Sequence, residues 1–451
     1  MVHRRDALLG LALLGAMQPL AALAKGKGDD FARLDAELAA VVNNPACELA
    51  SLSVVAVRKG RIAYERQFGR RFISKGSGNG AAPDKPVDRR TLFRIASISK
   101  TMTMLGLLRL VEAGKVDLDA DVSRYLGFQL RNPHFPDRAI TLRHLVTHRS
   151  SLRDEAGYSW GVDTALKDVL APGARLYQDA TWASNAGPGD YFTYCNLGWG
   201  ITGTIMEAVT GERFDRLQQR LLIQPLGLTA GYNPAELPGD GLANLATLYR
   251  KRSTDDDAKW DPAGPWVPQV DDYSSKPAAE PAGLDHYVPG VNATPFSPTG
   301  GMRISAHDMA VVMLALMHGG VHAGKRIWKQ ASLDQMFTRQ WTFDGHGGNG
   351  DSLDGLFNAW GLGNEQWPDD PATRTRVVEG GGFAPAGHLG DAYGVQTLFM
   401  ADLKKKNGII ALVGGTSTDP LAYKGQYSSL ARFQEQILTS TFRRAILMQQ
   451  A

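Results

Sequence analysis

The chain has 451 residues, 43% of them hydrophobic and 21% charged, ordinary globular usage that excludes wholesale disorder and leaves room for two or three domains of average size. Its 49 basic and 46 acidic residues give a formal charge of only +3, without the concentrated positive surface that a nucleic-acid binder requires. Two cysteines, Cys47 and Cys195, are too few for a disulfide scaffold or a cysteine-rich metal module.

Arg4 and Arg5 precede an apolar run from Ala7 to Leu23, interrupted by Gln18 and Pro19 and closed by Ala22-Leu23-Ala24 ahead of the polar Lys25-Gly26-Lys27. A basic start, a short apolar stretch and a small-residue cleavage site predict a secretory signal over residues 1–24, and the paired arginines admit a twin-arginine route. The run is too short and too broken for a membrane anchor, and no later segment is apolar enough to span. The mature chain, 25–451, is therefore expected in the periplasm or outside the cell, carrying a charge of +2. Export permits a disulfide; a Cys47–Cys195 bond stays open, with two separate buried thiols as the expectation.

A helix is predicted over 30–43, followed by strands at 52–57 and 62–68 joined by a turn at Arg58-Lys59-Gly60. Residues 74–90 read as loop. Met102, Leu105, Leu108 and Val111 repeat at helical spacing within 97–113, and Gly114 stands where a helix stops. Further helices are expected near 141–147, 196–210 and 213–222. Residues 252–297, with Asp255-Asp256-Asp257, Trp260, Trp266 and several prolines, lack periodicity and read as a long lid or insert that shapes an apolar pocket. Then come a helix near 305–318, strands at 393–400 and 408–414, and a final helix over 420–446. Strands thus cluster at both chain ends (about 30–95 and 298–446) and helices in the middle (about 96–251), an α/β arrangement with a sheet built from both termini and a mainly helical region inserted.

Ser97-Ile98-Ser99-Lys100 opens the strongest helix. Residues three apart share a helical face, so the Lys100 amine can reach the Ser97 hydroxyl, which needs such a partner to act as a nucleophile. The helix N-terminus adds N–H groups and positive dipole where negative charge would develop. Taken alone, the same four residues equally describe an N-cap serine and a surface lysine. Two other elements change that balance: Tyr194-Cys195-Asn196 on a turn before a helix, and Gly387-His388-Leu389-Gly390 before a strand-like run.

In this order the three elements resemble the serine β-lactamase and penicillin-binding-protein superfamily, particularly its class C-like branch, which also holds D-aminopeptidases, D-Ala-D-Ala carboxypeptidases and carboxylesterases. Ile140 to His148, Pro225-Leu226-Gly227-Leu228, Ser297 to Met302 and Trp360-Gly361-Leu362-Gly363 look like the same branch, so the resemblance runs from about 30 to 440. It implies an antiparallel sheet flanked by helices, and a serine hydrolase that forms an acyl-enzyme without metal or cofactor. It also implies a small-molecule ester, amide or cell-wall peptide as substrate. By resemblance Ser97 is the nucleophile, Lys100 the amine of its proton network, and Tyr194 the phenol that exchanges protons with nucleophile and leaving group. Asn196 contacts substrate or Lys100, while His388, Gly390 and Asp391 form a substrate-binding strand. The backbones of Ser97 and Asp391 supply the oxyanion hole. Lys100 is expected to lower the Tyr194 phenol, which is otherwise a poor base. A β-lactamase, or a catalytically idle penicillin sensor or cell-wall scaffold, are the other roles the resemblance allows.

The third element departs from the frequent Lys-Thr-Gly form: a largely neutral imidazole at His388 attracts a carboxylate less well than an ammonium, so uncharged esters and amides are expected to be favoured over cephalosporins. Three competing signals are weaker. Gly157-Tyr158-Ser159-Trp160-Gly161 matches a hydrolase elbow, yet the residues before it are too polar for the buried strand such an elbow needs. His144 and His148 lie one helical turn apart, a zinc-like spacing without the accompanying glutamate. Asp255-Asp256-Asp257 reads as a solvated loop before a calcium site. Cys195 reads as a small packing residue.

Overall fold

The computed structural model describes residues 18–74, 83–256 and 258–447, with side chains of the first helix described from Asp29 onward. Residues 1–17 of the expected signal lie outside the described residues; helix α1 runs from Gln18 to Val42, longer than the helix the sequence suggests. Among the described residues no helix is long and apolar enough to cross a membrane.

Strands β1 (Ser51–Arg58) and β2 (Arg61–Phe72) form the expected hairpin. Lys59 and Gly60 turn it in the left-handed region, at φ 49° and 71°, the conformation whose twist matches that of the strands it joins. On its other side β1 pairs with Asn407–Val413, Leu52 opposite Val413 and Val57 opposite Gly408. The sheet of nine strands therefore does draw on both chain ends. Across it lie Trp341–Thr342, Ala359–Trp360, Glu365–Gln366, Ala386–Ala392, Val395–Asp402, Asn407–Val413, β1, β2 and Lys85–Pro86, each antiparallel to its neighbour.

Alternation along the central strands divides the interior into two cores. Val55, Val57, Ile410, Leu412 and Phe399 point to one face, packed against α2 (Ile98–Glu112) and the helix Ala306–Met317. Leu52, Val54, Ala56, Ile409, Ala411 and Met400 point to the other, under α1 and Arg432–Thr441. This period of two is what a sheet sandwiched between helical layers demands. Helix α2 is not the one-faced helix its apolar spacing suggests: every residue from Ile98 to Leu108 is buried, as in a helix surrounded by structure on all sides.

Three expectations need correction. The insert 252–297 is not without structure, because Trp266–Val270 pairs with Leu248–Lys251, which in turn pairs with Gly415–Thr416. The last helix begins at Arg432, since the buried Glu435 carboxylate accepts the N–H groups of Gln426, Tyr427 and Ser428 and holds that segment in a loop. The strand read at 393–400 is the second arm of a hairpin turned by Tyr393 and Gly394, both at positive φ, so His388-Leu389-Gly390 lies within the first arm. The two cysteines are free and buried, Cys47 in the outer core and Cys195 in the inner one.

Candidate active site

Ser97 stands at the first turn of α2, after Ala96 at φ 47°. A left-handed residue bearing a Cβ is a strained arrangement, and the Ser97 side chain that follows it makes no capping bond. Lys100 is fully buried. Its Nζ donates to Ser97 Oγ at 2.9 Å, to Asn196 Oδ1 at 2.8 Å and to the Thr299 carbonyl at 3.1 Å. Neither half of the capping-serine, surface-lysine description survives.

Tyr194 completes the group. Lys100 Nζ lies 4.9 Å from the centre of its ring, and the phenol hydrogen-bonds to Ser97. The ring is stacked between His148 at 4.5 Å and Phe357 at 4.9 Å. The expected lowering of this phenol is not what the environment produces. Burial pushes Tyr194 up, opposed by the Ser97 bond, because removing a phenolate from water costs more than its neighbours return. Burial has the opposite effect on an amine: it brings Lys100 down to about 7, against Asp154 and Cys195, which favour the charged form. The amine, rather than the phenol, gains or loses its proton near neutral pH.

Asn196 is held from behind by Asp154, which sequence reasoning passed over. The Asp154 carboxylate accepts the Asn196 N–H at 2.8 Å, the Asn196 side-chain amide at 2.9 Å and the Leu197 N–H at 3.0 Å. It caps the helix Leu197–Thr210 and fixes which end of Asn196 faces Lys100; Thr299 Oγ1 donates to that same Asn196 oxygen at 2.7 Å. Asp154→Asn is expected to cost about 1.5–3 kcal/mol of stability, the worth of a hydrogen bond to a charged group, and to lower kcat/KM with it. Thermal melts and ester kinetics on the same preparation check both.

The strand Ala386–Ala392 closes the site. Glu365–Gln366 pairs only with its first two residues, which leaves the 388–392 edge facing Ser97 without a covering strand among the described residues. A Cβ at Gly390 would lie 2.4 Å from the Ile95 carbonyl, so glycine is what lets this strand press against the backbone that carries Ser97. Asp391 lines the cavity with Ser97, Tyr194 and Asn196. His388 and Gly390 lie behind its wall. The His388 ring packs edge-on against Trp360 at 5.3 Å and donates from Nδ1 to the Leu389 carbonyl at 2.6 Å. Burial and the nearby Lys100 bring it down to about 3, so it is neutral.

The cavity measures about 810 Å³, ample for a small organic substrate. Its walls include segments at 154–159, 279–281, 294–300 and 391–393, the last running from the end of the strand Ala386–Ala392 into its turn. The long insert thus contributes, but not through its tryptophans. Trp260 lies on Arg250 and Arg252, and Trp266 on Lys251. Ser159 also lines the cavity, yet Gly157–Gly161 forms no strand-turn-helix elbow and the Ser159 hydroxyl only approaches the Thr294 carbonyl at 3.4 Å. His144 is occupied in capping its helix through Thr141, and His148 accepts the Cys195 N–H. Among the described residues no group of side chains is arranged to hold a metal ion. Asp256 pairs with Lys259, while Asp257 lies outside the described residues.

The family model for beta-lactamase matches residues 31–431. The chain belongs to the beta-lactamase family. Within that family it is 32% identical to esterase EstB of Burkholderia gladioli over 46% of this chain and 54% of EstB. It is 26% identical to penicillin-binding protein 4 of Amycolatopsis lactamdurans over 73% and 78% of the respective chains. The match to EstB spans about half of that relative's length, and the match to penicillin-binding protein 4* of Bacillus subtilis spans 38%. Among solved structures, D-amino acid amidase of Ochrobactrum anthropi shares the fold at a TM-score of 0.58 and 19% identity, over 90% of this chain and 98% of the amidase. The hydrolase EstCE1 does so at 0.59 and 20%, over 92% and 99%.

Holding Lys100 out of water has a stability cost with a defined pH dependence. Below about 7 the amine is charged in the folded and unfolded chain alike, and the burial penalty is fully present. As pH rises toward the unfolded value near 10.4, the folded state releases its proton first and the penalty disappears. Lys100→Met should therefore gain most in melting temperature, relative to wild type, at pH 6, and the difference should shift against the variant by pH 9.5. A pH-independent difference contradicts the depressed amine.

Proposed function

We propose that the protein is an exported hydrolase that cleaves a small ester or amide through an acyl-enzyme on Ser97. The observation that carries this reading is the three-way contact of the buried Lys100 Nζ with Ser97 Oγ, Asn196 Oδ1 and the Thr299 carbonyl. With the amine neutral, Lys100 takes the Ser97 proton as Oγ bonds to the substrate carbonyl carbon. The resulting oxyanion is received by the N–H groups of Ser97 and Asp391. Tyr194, which stays protonated, donates its proton to the departing alcohol or amine as that bond breaks, and recovers one from the Lys100 ammonium. Water then attacks the acyl carbon, giving its proton back through the same groups, and the acid leaves as Ser97 is restored.

Treatment with a fluorophosphonate followed by mass spectrometry should place one adduct on Ser97, absent from Ser97→Ala. An unlabelled Ser97 in folded protein favours an idle binding module instead. A parallel panel of nitrophenyl esters, D-amino-acid amides, D-Ala-D-Ala peptides and a chromogenic cephalosporin assigns the substrate class. Export rests on Arg4, Arg5 and the interrupted apolar run to Leu23. Cleavage after Ala24 would shorten α1 while sparing Leu34, Leu38, Val41 and Val42, which pack it to the sheet. Periplasmic protein should then begin near Lys25; an intact Met1 on membrane-bound product rules this out.

A further inference from the structure

Neutral His388 leaves the catalytic strand without a cation, yet the cavity has one elsewhere. Arg94 and Arg303 lie directly opposite each other in the pairing of Phe93–Arg94 with Arg303–Ile304, and both reach the cavity. Like charges in that position repel. One anion serves the pair: Asp271, whose two oxygens accept from Arg303 at 2.8 and 3.2 Å. Arg303 is further satisfied by the carbonyls of Gly301 and Tyr232.

Arg94 is not. Its Nε donates to the Gly300 carbonyl at 2.9 Å, and its guanidinium lies over the Tyr393 ring, 4.7 Å from the centroid. Its two terminal nitrogens have no hydrogen-bond partner among the described residues and are not sealed from the cavity. No carboxylate of a described residue lies within ion-pair distance of Arg94. The other carboxylates on the wall are engaged or outward: Asp154 holds Asn196 and Leu197, Asp391 interacts with Gln396 and Arg250, and Glu155 and Glu280 are exposed. A half-exposed Tyr158 stands near enough to interact electrostatically with Arg94. The result is a planar two-pronged donor, backed by one phenol ring and flanked by another, in the cavity that contains Ser97.

We propose that Arg94 binds a carboxylate of the substrate, so that the molecules cleaved carry a carboxylate in addition to the scissile ester or amide. This deepens, and rests on, the assignment of the cavity to hydrolysis at Ser97. It also revises the expectation that a histidine at position 388 turns the site toward uncharged substrates. Guanidinium and carboxylate form paired, charge-assisted hydrogen bonds, and here the bond also relieves the repulsion between Arg94 and Arg303.

The test uses matched esters on the full chain. 4-Nitrophenyl hydrogen glutarate against 4-nitrophenyl pentanoate places the carboxylate on the acyl side, and 4-carboxyphenyl acetate against phenyl acetate places it on the alcohol side. In wild type the charged member of at least one pair should have the lower KM. Arg94→Gln should raise that KM by roughly tenfold to a hundredfold relative to its neutral partner, and Arg94→Lys should recover part of the difference. Equal KM values within both pairs in wild type, or a loss in Arg94→Gln shared alike by charged and neutral members, overturns the proposal. Failure of the hydrolase reading has a different signature, no turnover of any ester. In that event calorimetric titration of 4-nitrophenyl hydrogen glutarate into wild type and Arg94→Gln still decides the matter, and equal affinities refute the role of Arg94.

Discussion

Ser97→Ala is expected to lower ester hydrolysis by roughly 10⁴-fold or more, since groups that act as a unit lose nearly everything when one is removed, while leaving the melting temperature close to that of wild type. The second half of this expectation comes from the geometry. Ser97 contributes no capping bond to α2, so alanine forfeits only the contacts to Lys100 and Tyr194, and Lys100 retains Asn196 and Thr299. Ser159→Ala, on the wall of the same cavity, should keep its activity. Hydrolysis of 4-nitrophenyl butyrate alongside a thermal melt reads both variants. The reverse pattern, with Ser97→Ala active and Ser159→Ala inert, transfers the chemistry to the pentapeptide.

The second large effect separates Lys100 from Tyr194, which single-point rates cannot do. If neutral Lys100 is the base, kcat/KM in wild type should fall about tenfold per pH unit below the amine's value of about 7 and level off above it. Lys100→Met should lose on the order of 10³-fold or more at neutral pH and lose that limb as well. Tyr194→Phe should also lose orders of magnitude, because no proton donor then reaches the leaving group, but its residual rate should still follow the limb near 7. A limb abolished by Tyr194→Phe and retained by Lys100→Met would exchange the two roles.

Whatever was set by local spacing could be read directly from the sequence. Ser97 and Lys100 share a helical face because they lie three positions apart, and the hairpin of β1 and β2 follows from a largely apolar run and its return on either side of the turn at Arg58-Lys59-Gly60. Tertiary placement decided the rest. Nothing near Asp154 in the sequence marks a carboxylate that caps a helix beginning at Leu197. Tyr194 was expected to be lowered on the grounds of proximity to an ammonium, but the extent of its burial depends on His148, Phe357 and the strand Ala386–Ala392, which come from distant parts of the chain. Trp260 and Trp266 look like pocket residues in a proline-rich stretch until their arginine and lysine partners from 250–252 are seen. Arg94 attracts no notice in the sequence, because its meaning depends on Asp271 being claimed by Arg303.

The groups proposed to break the bond and the outer rim of the cavity are built on different kinds of backbone. Ser97 and Lys100 belong to a helix whose residues from Ile98 to Leu108 are all buried, where a change of one methylene disturbs packing on every side. The outer rim at 155–159, 279–281 and Tyr393 consists of loops and turns with solvent-facing side chains such as Tyr158, Glu280 and Tyr393, positions where substitutions usually cost within about 0.5 kcal/mol, whereas Asp154, Thr299 and the largely buried stretch 294–300 belong with the centre. Selection, natural or in the laboratory, can therefore act on the two almost independently. A library confined to those loops should yield mostly folded protein with a native Ser97 centre and altered substrate range, whereas an equal number of changes along Ile98–Leu108 should yield mostly insoluble protein. Evolvability in this chain is concentrated at the rim of the cavity, a few residues from chemistry that scarcely tolerates change.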